Sequence, residues 1–161
     1  MADVMDPVYR ESRPVMPRNL TILVAVVLLA TVAFMLFSDA FLGTDTPSWM
    51  PIVTAVVFVV LIFVFLFARL DLEIYGDRVE IRYILRRVTI GAGEIIDVRH
   101  GDLTAIRNYA NWNLKGVKHR TYSRVGDEGG VAMKVTGKRV FVVSSEDPET
   151  VAGMIPGERE E

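Results

Sequence analysis

The chain has 161 residues, a net charge of −2 and no cysteine, with 51% hydrophobic and 24% charged residues. These averages exclude a disordered chain, a disulfide scaffold and thiol chemistry. The placement of the apolar residues also excludes a wholly soluble globule, because they are concentrated in two long runs.

In chain order, residues 1–18 read as a polar tail carrying Arg10, Arg13 and Arg18. Leu20–Phe37 follows, 18 residues whose only polar side chains are Thr21 and Thr31. Trp49–Ala68 is a second run of 20 residues, interrupted only by Pro51 and Thr54. At about 1.5 Å per residue these are helices of roughly 27 and 30 Å, close to the hydrocarbon thickness of a bilayer. A soluble helix of this length normally keeps one polar face. A cleaved signal peptide has a shorter core and a small-residue cleavage site, and Phe37-Ser38-Asp39-Ala40-Phe41 is a poor one. Residues 19–68 are therefore predicted to form a transmembrane hairpin. Arg10, Arg13 and Arg18 lie before it and Arg69, Arg78, Arg82, Arg86 and Arg87 after it, whereas the loop Ser38–Ser48 has no Lys or Arg. The positive-inside rule then places both termini in the cytoplasm, in a multi-pass protein of the cell membrane. Neither run contains an ionisable residue, so the helices read as an anchor rather than a transport path.

After Arg69 the period becomes two. Leu70, Leu72 and Ile74, then Val79, Ile81, Tyr83 and Leu85, alternate with polar residues around a turn at Gly76-Asp77. Gly91-Ala92-Gly93 lacks the rest of a phosphate loop and is expected to be a strand bend or bulge before Glu94–Val98. Val131–Val135 and Arg139–Val143 flank Thr136-Gly137-Lys138 as a second hairpin. Asp147-Pro148-Glu149 has the pattern of an N-cap, first helical proline and acidic first turn. The expected core is Leu72, Ile74, Val79, Ile81, Ile95, Val98, Val131, Met133, Val140 and Val142.

The stretch Arg82-Tyr83-Ile84-Leu85-Arg86-Arg87-Val88-Thr89-Ile90, followed by Glu94-Ile95-Ile96-Asp97-Val98, resembles the front of prokaryotic PH-like (bacterial pleckstrin-homology) domains. Arg107–Asn113, Arg120-Thr121-Tyr122-Ser123 and Gly129-Gly130-Val131 are similar to a second pattern, found in small two-helix membrane proteins with that domain. The ending Phe141–Glu149 matches their closing strand and helix. Where those proteins carry Gly-Gly-Trp-Gly, this chain has Ala110-Asn111-Trp112-Asn113. The resemblance implies an α+β membrane protein: a two-helix transmembrane hairpin, then a mainly β PH-like barrel at 69–155 with a short C-terminal helix, and an acidic tail at 156–161. It implies no particular activity.

No HExxH or paired-histidine spacing points to a metal site, and no cofactor is expected. A Ser–His–Asp set could be drawn only from Ser123, His119 and Asp102, with no elbow motif behind it. The protein is therefore expected not to be an enzyme. From Arg99 to Arg124 there are six cations against one anion, interleaved with Tyr109, Trp112 and Tyr122. At a membrane surface such a stretch suits anionic headgroups or an acidic partner better than nucleic acid. Arg107, Trp112, Lys115, Lys118 and Arg120 are the candidate contact surface; the bland alternative is a solvated face with Trp112 packed on the barrel. The function expected is presentation of a cytoplasmic domain that binds a partner protein or lipid headgroups. The alternative is an accessory subunit of a larger membrane complex or a homo-oligomer.

Overall fold

A computed structural model describes residues 6–43, 47, 49–106, 112 and 116–156. The chain divides into two compact units, Met16–Ala68 and the residues on either side of it.

The unit Met16–Ala68 holds α1 (Arg18–Leu42) and α2 (Trp49–Phe67). Both are long and apolar enough to cross a membrane, and only 6% of either apolar window is buried. The helix α1 stops where Gly43 takes the left-handed conformation, φ 61°, which a glycine adopts at no steric cost. Pro51 sits in the first turn of α2, where an N–H would have no helical partner. Two threonine hydroxyls of α1 donate to carbonyls one turn back, Thr21 to Pro17 at 3.2 Å and Thr31 to Val27 at 2.9 Å. Neither leaves a polar hydrogen unpaired on an otherwise apolar helix.

The second unit contains two four-stranded sheets. The first is antiparallel in the order β1 (Tyr9–Pro14), β2 (Arg69–Ile74), β3 (Arg78–Tyr83), β4 (Arg86–Gly91). A 3₁₀ turn, Ala92–Glu94, carries the chain into the second sheet; this is the expected bend after β4. The second sheet has the order β5 (Ile95–Asp102), β7 (Gly129–Val135), β8 (Arg139–Ser144), β6 (Lys118–Tyr122). The last pair, β6 with β8, is parallel, so this sheet is not a simple meander. A short helix, α3 (Leu103–Ile106), follows β5, and α4 (Pro148–Met154) closes the unit. As its sequence predicts, α4 is capped by Asp147, whose carboxylate accepts from the Thr150 amide at 3.1 Å.

The main core lies between the inner faces of the sheets and under α4. It includes Leu70, Leu72, Ile74, Val79, Ile81 and Ile90 from the first sheet, and Ile95, Val131, Met133, Phe141 and Val143 from the second. Val98 packs against it partly buried. Val140 and Val142, expected in the same core, belong instead to a second cluster with Ala132, Leu103, Ile106 and Trp112. The reason is register. Met133 pairs Phe141 and Val131 pairs Val143, and alternate residues of a strand point to opposite faces, so the second sheet buries both of its faces. Gly130 is required by this double cover: a Cβ there would lie 2.5 Å from Leu103 Cδ2 and from the Val143 carbonyl oxygen.

Tyr9–Pro14, read from sequence as part of a tail, is a strand of the first sheet, paired from Tyr9–Ile74 to Pro14–Arg69. Its inward residues are Tyr9, which packs against the core, and the charged Glu11 and Arg13, so no apolar alternation marks it. Arg13, 8% exposed, holds it in place. The guanidinium pairs with Glu11 at 2.7 Å, Asp127 at 2.6 Å and Glu146 at 3.3 Å. Glu11 in turn accepts from the Ser145 hydroxyl at 2.7 Å and the Glu146 amide at 3.1 Å.

Candidate functional site

The strands β3 and β4 are joined by two residues, Ile84 and Leu85. Two-residue hairpin turns usually place Gly, Asn or Asp where φ is positive. Here Ile84 takes φ 55°, an outlying conformation for a β-branched residue. Ile84 is 49% and Leu85 97% exposed. Arg82, Arg86 and Arg87 flank the tip. The Ile84 amide donates to the carbonyl of Arg69 at 3.1 Å, which fastens the tip to the start of β2.

Beside this turn, Tyr83–Arg86 and Arg120–Tyr122 line a cleft of about 380 Å³. It opens between the β3–β4 turn and β6, the edge strand of the second sheet. Tyr83 and Tyr122 form its aromatic wall, edge to face with ring centres 5.6 Å apart. Tyr83 donates its hydroxyl to the Ser123 carbonyl at 3.4 Å. The hydroxyl of Tyr122 is buried and has no hydrogen-bond partner among the described residues. A buried polar group in that state carries a desolvation cost of about 1–3 kcal/mol.

The described arginines of the β unit fall into two sets. Arg10, Arg13, Arg78, Arg82, Arg87, Arg99, Arg124 and Arg139 each have a carboxylate partner. On the outer face of the first sheet, Glu73 and Glu80 stand opposite each other on β2 and β3. They are roofed by Arg10, Arg78, Arg82 and Arg87. Burial alone would raise the Glu80 carboxyl, but hydrogen bonds from Arg87 and Arg78 outweigh it and hold the group below the usual carboxylate range. Arg69, Arg86 and Arg120 are exposed and have no ion pair among the described residues. Two of these three line the cleft, and Arg69 holds the adjoining tip.

Of the residues expected on a basic surface, Arg120 lies in the cleft, and Lys118 is exposed two positions earlier on β6. Trp112 is 5% exposed and packs in the second core, so it is not on an open surface. Its indole N–H donates to Asp97 at 2.7 Å, and the Arg99 guanidinium lies 4.2 Å above its ring. Arg107 and Lys115 lie outside the described residues. Asp102 accepts from the amides of Thr104 at 2.6 Å and Ala105 at 3.3 Å, which lowers its pKa; it acts as the cap of α3. Among the described residues no group of three His, Asp or Glu side chains is placed to hold a metal ion.

Sequence reading missed the tip and the cleft's aromatic wall. Val79, Ile81, Tyr83 and Leu85 continue one alternation without a turn residue. The available signal was a change of parity: the inward residues are odd-numbered up to Tyr83 and even-numbered at Val88 and Ile90. A two-residue turn produces that shift. Comparison of the chain with protein-family models, with curated proteins and with solved structures gives no match.

Proposed function

We propose that this protein is a membrane-anchored binding module, in which α1 and α2 span a cell membrane and the β unit, a PH-like domain, holds an anionic lipid headgroup in the cleft beside Arg86 and Arg120. Both chain ends lie on the cytoplasmic side. Several observations support the anchoring. Almost none of the residues in the two apolar windows is buried, a larger exposed apolar area than a soluble monomer tolerates. Their threonine hydroxyls at 21 and 31 are internally bonded, as a hydrocarbon medium demands. Strand β1 precedes α1, β2 follows α2, and the two pair residue for residue. A segment whose ends are joined by one register leaves and returns on the same side of any bilayer it crosses.

The observation that carries the binding reading is the sorting of the arginines. Eight are neutralised by carboxylates, while Arg86 and Arg120 in the cleft wall, and Arg69 bonded to the adjoining tip, have no ion pair among the described residues. The rings of Tyr83 and Tyr122 complete the wall of this cleft. The test uses the full chain in nonionic detergent and counts bound short-chain phosphatidylglycerol and phosphatidylcholine by native mass spectrometry. Each cation close to an anionic lipid contributes about 1 kcal/mol. The double variant Arg86→Gln/Arg120→Gln should therefore bind phosphatidylglycerol roughly thirtyfold more weakly. Equal retention of both lipids by the parent chain, or undiminished binding by the variant, overturns the headgroup reading. A stoichiometric protein in the same spectra would then identify the chain as an accessory subunit.

A further inference from the structure

We infer that the β3–β4 hairpin tip, Ile84-Leu85, is a second membrane contact, an apolar wedge that enters the interfacial layer of the bilayer in which α1 and α2 are anchored. The inference rests on the proposed spanning of those helices and adds what the β unit itself does at the surface. Three observations carry it.

The first is tether length. Helix α2 ends at Phe67 and β2 begins at Arg69. Two residues of chain reach at most about 7 Å. The Ile84 amide is hydrogen-bonded to the Arg69 carbonyl at 3.1 Å, so within the β unit the tip is fastened to the residue on which this short tether ends. The polar layer on each side of the hydrocarbon is about 5–8 Å deep. A group fastened to that residue is therefore within reach of this layer.

The second is chemistry. The two tip residues are large and apolar, and one of them is 97% exposed. Directly behind them stand Arg86 and, through its backbone, Arg69, neither with an ion pair among the described residues. Apolar side chains in front and cations one residue behind match the polarity gradient of a lipid interface.

The third is conformation. Ile84 occupies a positive-φ turn position that a glycine would fill with less strain. Local backbone preference does not account for an isoleucine there, and neither does packing at 49% exposure. Transfer of both side chains into lipid does account for them.

The chain has no cysteine, so single-cysteine variants of the full-length protein can be labelled with an environment-sensitive fluorophore. Leu85→Cys reports the tip. Gly76→Cys reports the opposite end of the hairpin β2–β3, about 20 Å away along the strands, at a position where a Cβ meets nothing within 4 Å. Val57→Cys reports the middle of α2. The proteins are reconstituted into vesicles of phosphatidylglycerol and phosphatidylcholine, with and without a spin-labelled lipid quencher. Quenching at position 85 should approach that at 57 and exceed that at 76 at least twofold. If 57 is quenched while 85 behaves like 76, the wedge is overturned and the spanning reading stands; the tip is then covered by water or protein. If 57 is not quenched, the spanning reading fails, and the wedge with it.

Discussion

Glu80 illustrates how a buried charge on a sheet is kept ionised. Its carboxylate is shielded from water, which by itself raises the pKa, yet it receives hydrogen bonds from Arg87 and Arg78, with Arg82 at 3.7 Å. The net effect is a folded-state pKa below the ordinary value. A depressed carboxyl pKa stabilises the fold above the unfolded-state pKa, and that stabilisation is lost as pH falls through the folded value. Glu80→Gln should therefore lower the thermal midpoint at neutral pH. The gap between parent and variant should close on acidification between roughly pH 5 and pH 3. A gap of constant size across that range contradicts the linkage. Surface arginine–carboxylate pairs are usually worth little. These differ because Glu73 and Glu80 are buried beneath the arginine side chains that neutralise them.

Among the elements, β1 has the least obvious reason to exist. Tyr9 is its one apolar contact with the core; backbone pairing with β2 and the charge network of Arg13 hold the rest. That network ties β1 to Asp127 before β7 and to Glu146 before α4, so one guanidinium joins three parts of the unit. Removing one partner of a buried ion pair leaves the remaining charges uncompensated, at about 3–5 kcal/mol. Arg13→Ala should lower unfolding free energy by that order in chemical denaturation, whereas Arg86→Ala, at an exposed position without an ion pair, should change it by less than about 0.5 kcal/mol. Equal effects would remove Arg13 from its structural role. The hairpin β3–β4 presents the opposite case. Its strands are secured by the core residues Val79, Ile81 and Ile90, and this security lets the tip hold an exposed, unfavourable pair of residues.

At the scale of the molecule, the apolar unit is an insertion between two paired strands. Pro14 and Arg69 face each other in an antiparallel register, and such partners are about 5 Å apart. Replacing residues 16–68 by about four Gly/Ser residues should thus close an ordinary hairpin. The shortened chain should be soluble and unfold cooperatively. A chain that starts at Arg69 lacks β1 and strands Asp127 and Glu146 without Arg13. It should melt at a clearly lower temperature or without a cooperative transition. Identical melting of the two chains would show that β1 contributes nothing. The same topology joins the β unit to the helices by two short connections, Met16–Pro17 and Ala68, both at one end of the β1–β2 pair.

The residue order alone determined the features whose cause is local. Two apolar runs make two long helices, alternation at Leu70–Ile81 makes a hairpin around Gly76-Asp77, and Asp147-Pro148 starts the last helix. In each case a periodicity or a cap acts within a few residues. Tertiary structure decided the rest, because its causes join residues far apart in the chain. Strand β1 has no apolar pattern and forms only when β2 offers a partner and Asp127 and Glu146 offer counter-charges. Val140 and Val142 left the main core because the register with β7, and the cover supplied by Leu103, Ile106 and Trp112, bury the second face of the sheet. Trp112 was legible as an aromatic in a basic stretch, but its burial depended on Asp97 and Arg99 at a distance. The cleft follows the same rule. Composition counts every arginine as one positive charge, and only the fold, by pairing eight of them, distinguishes Arg69, Arg86 and Arg120 from the other described arginines of the β unit.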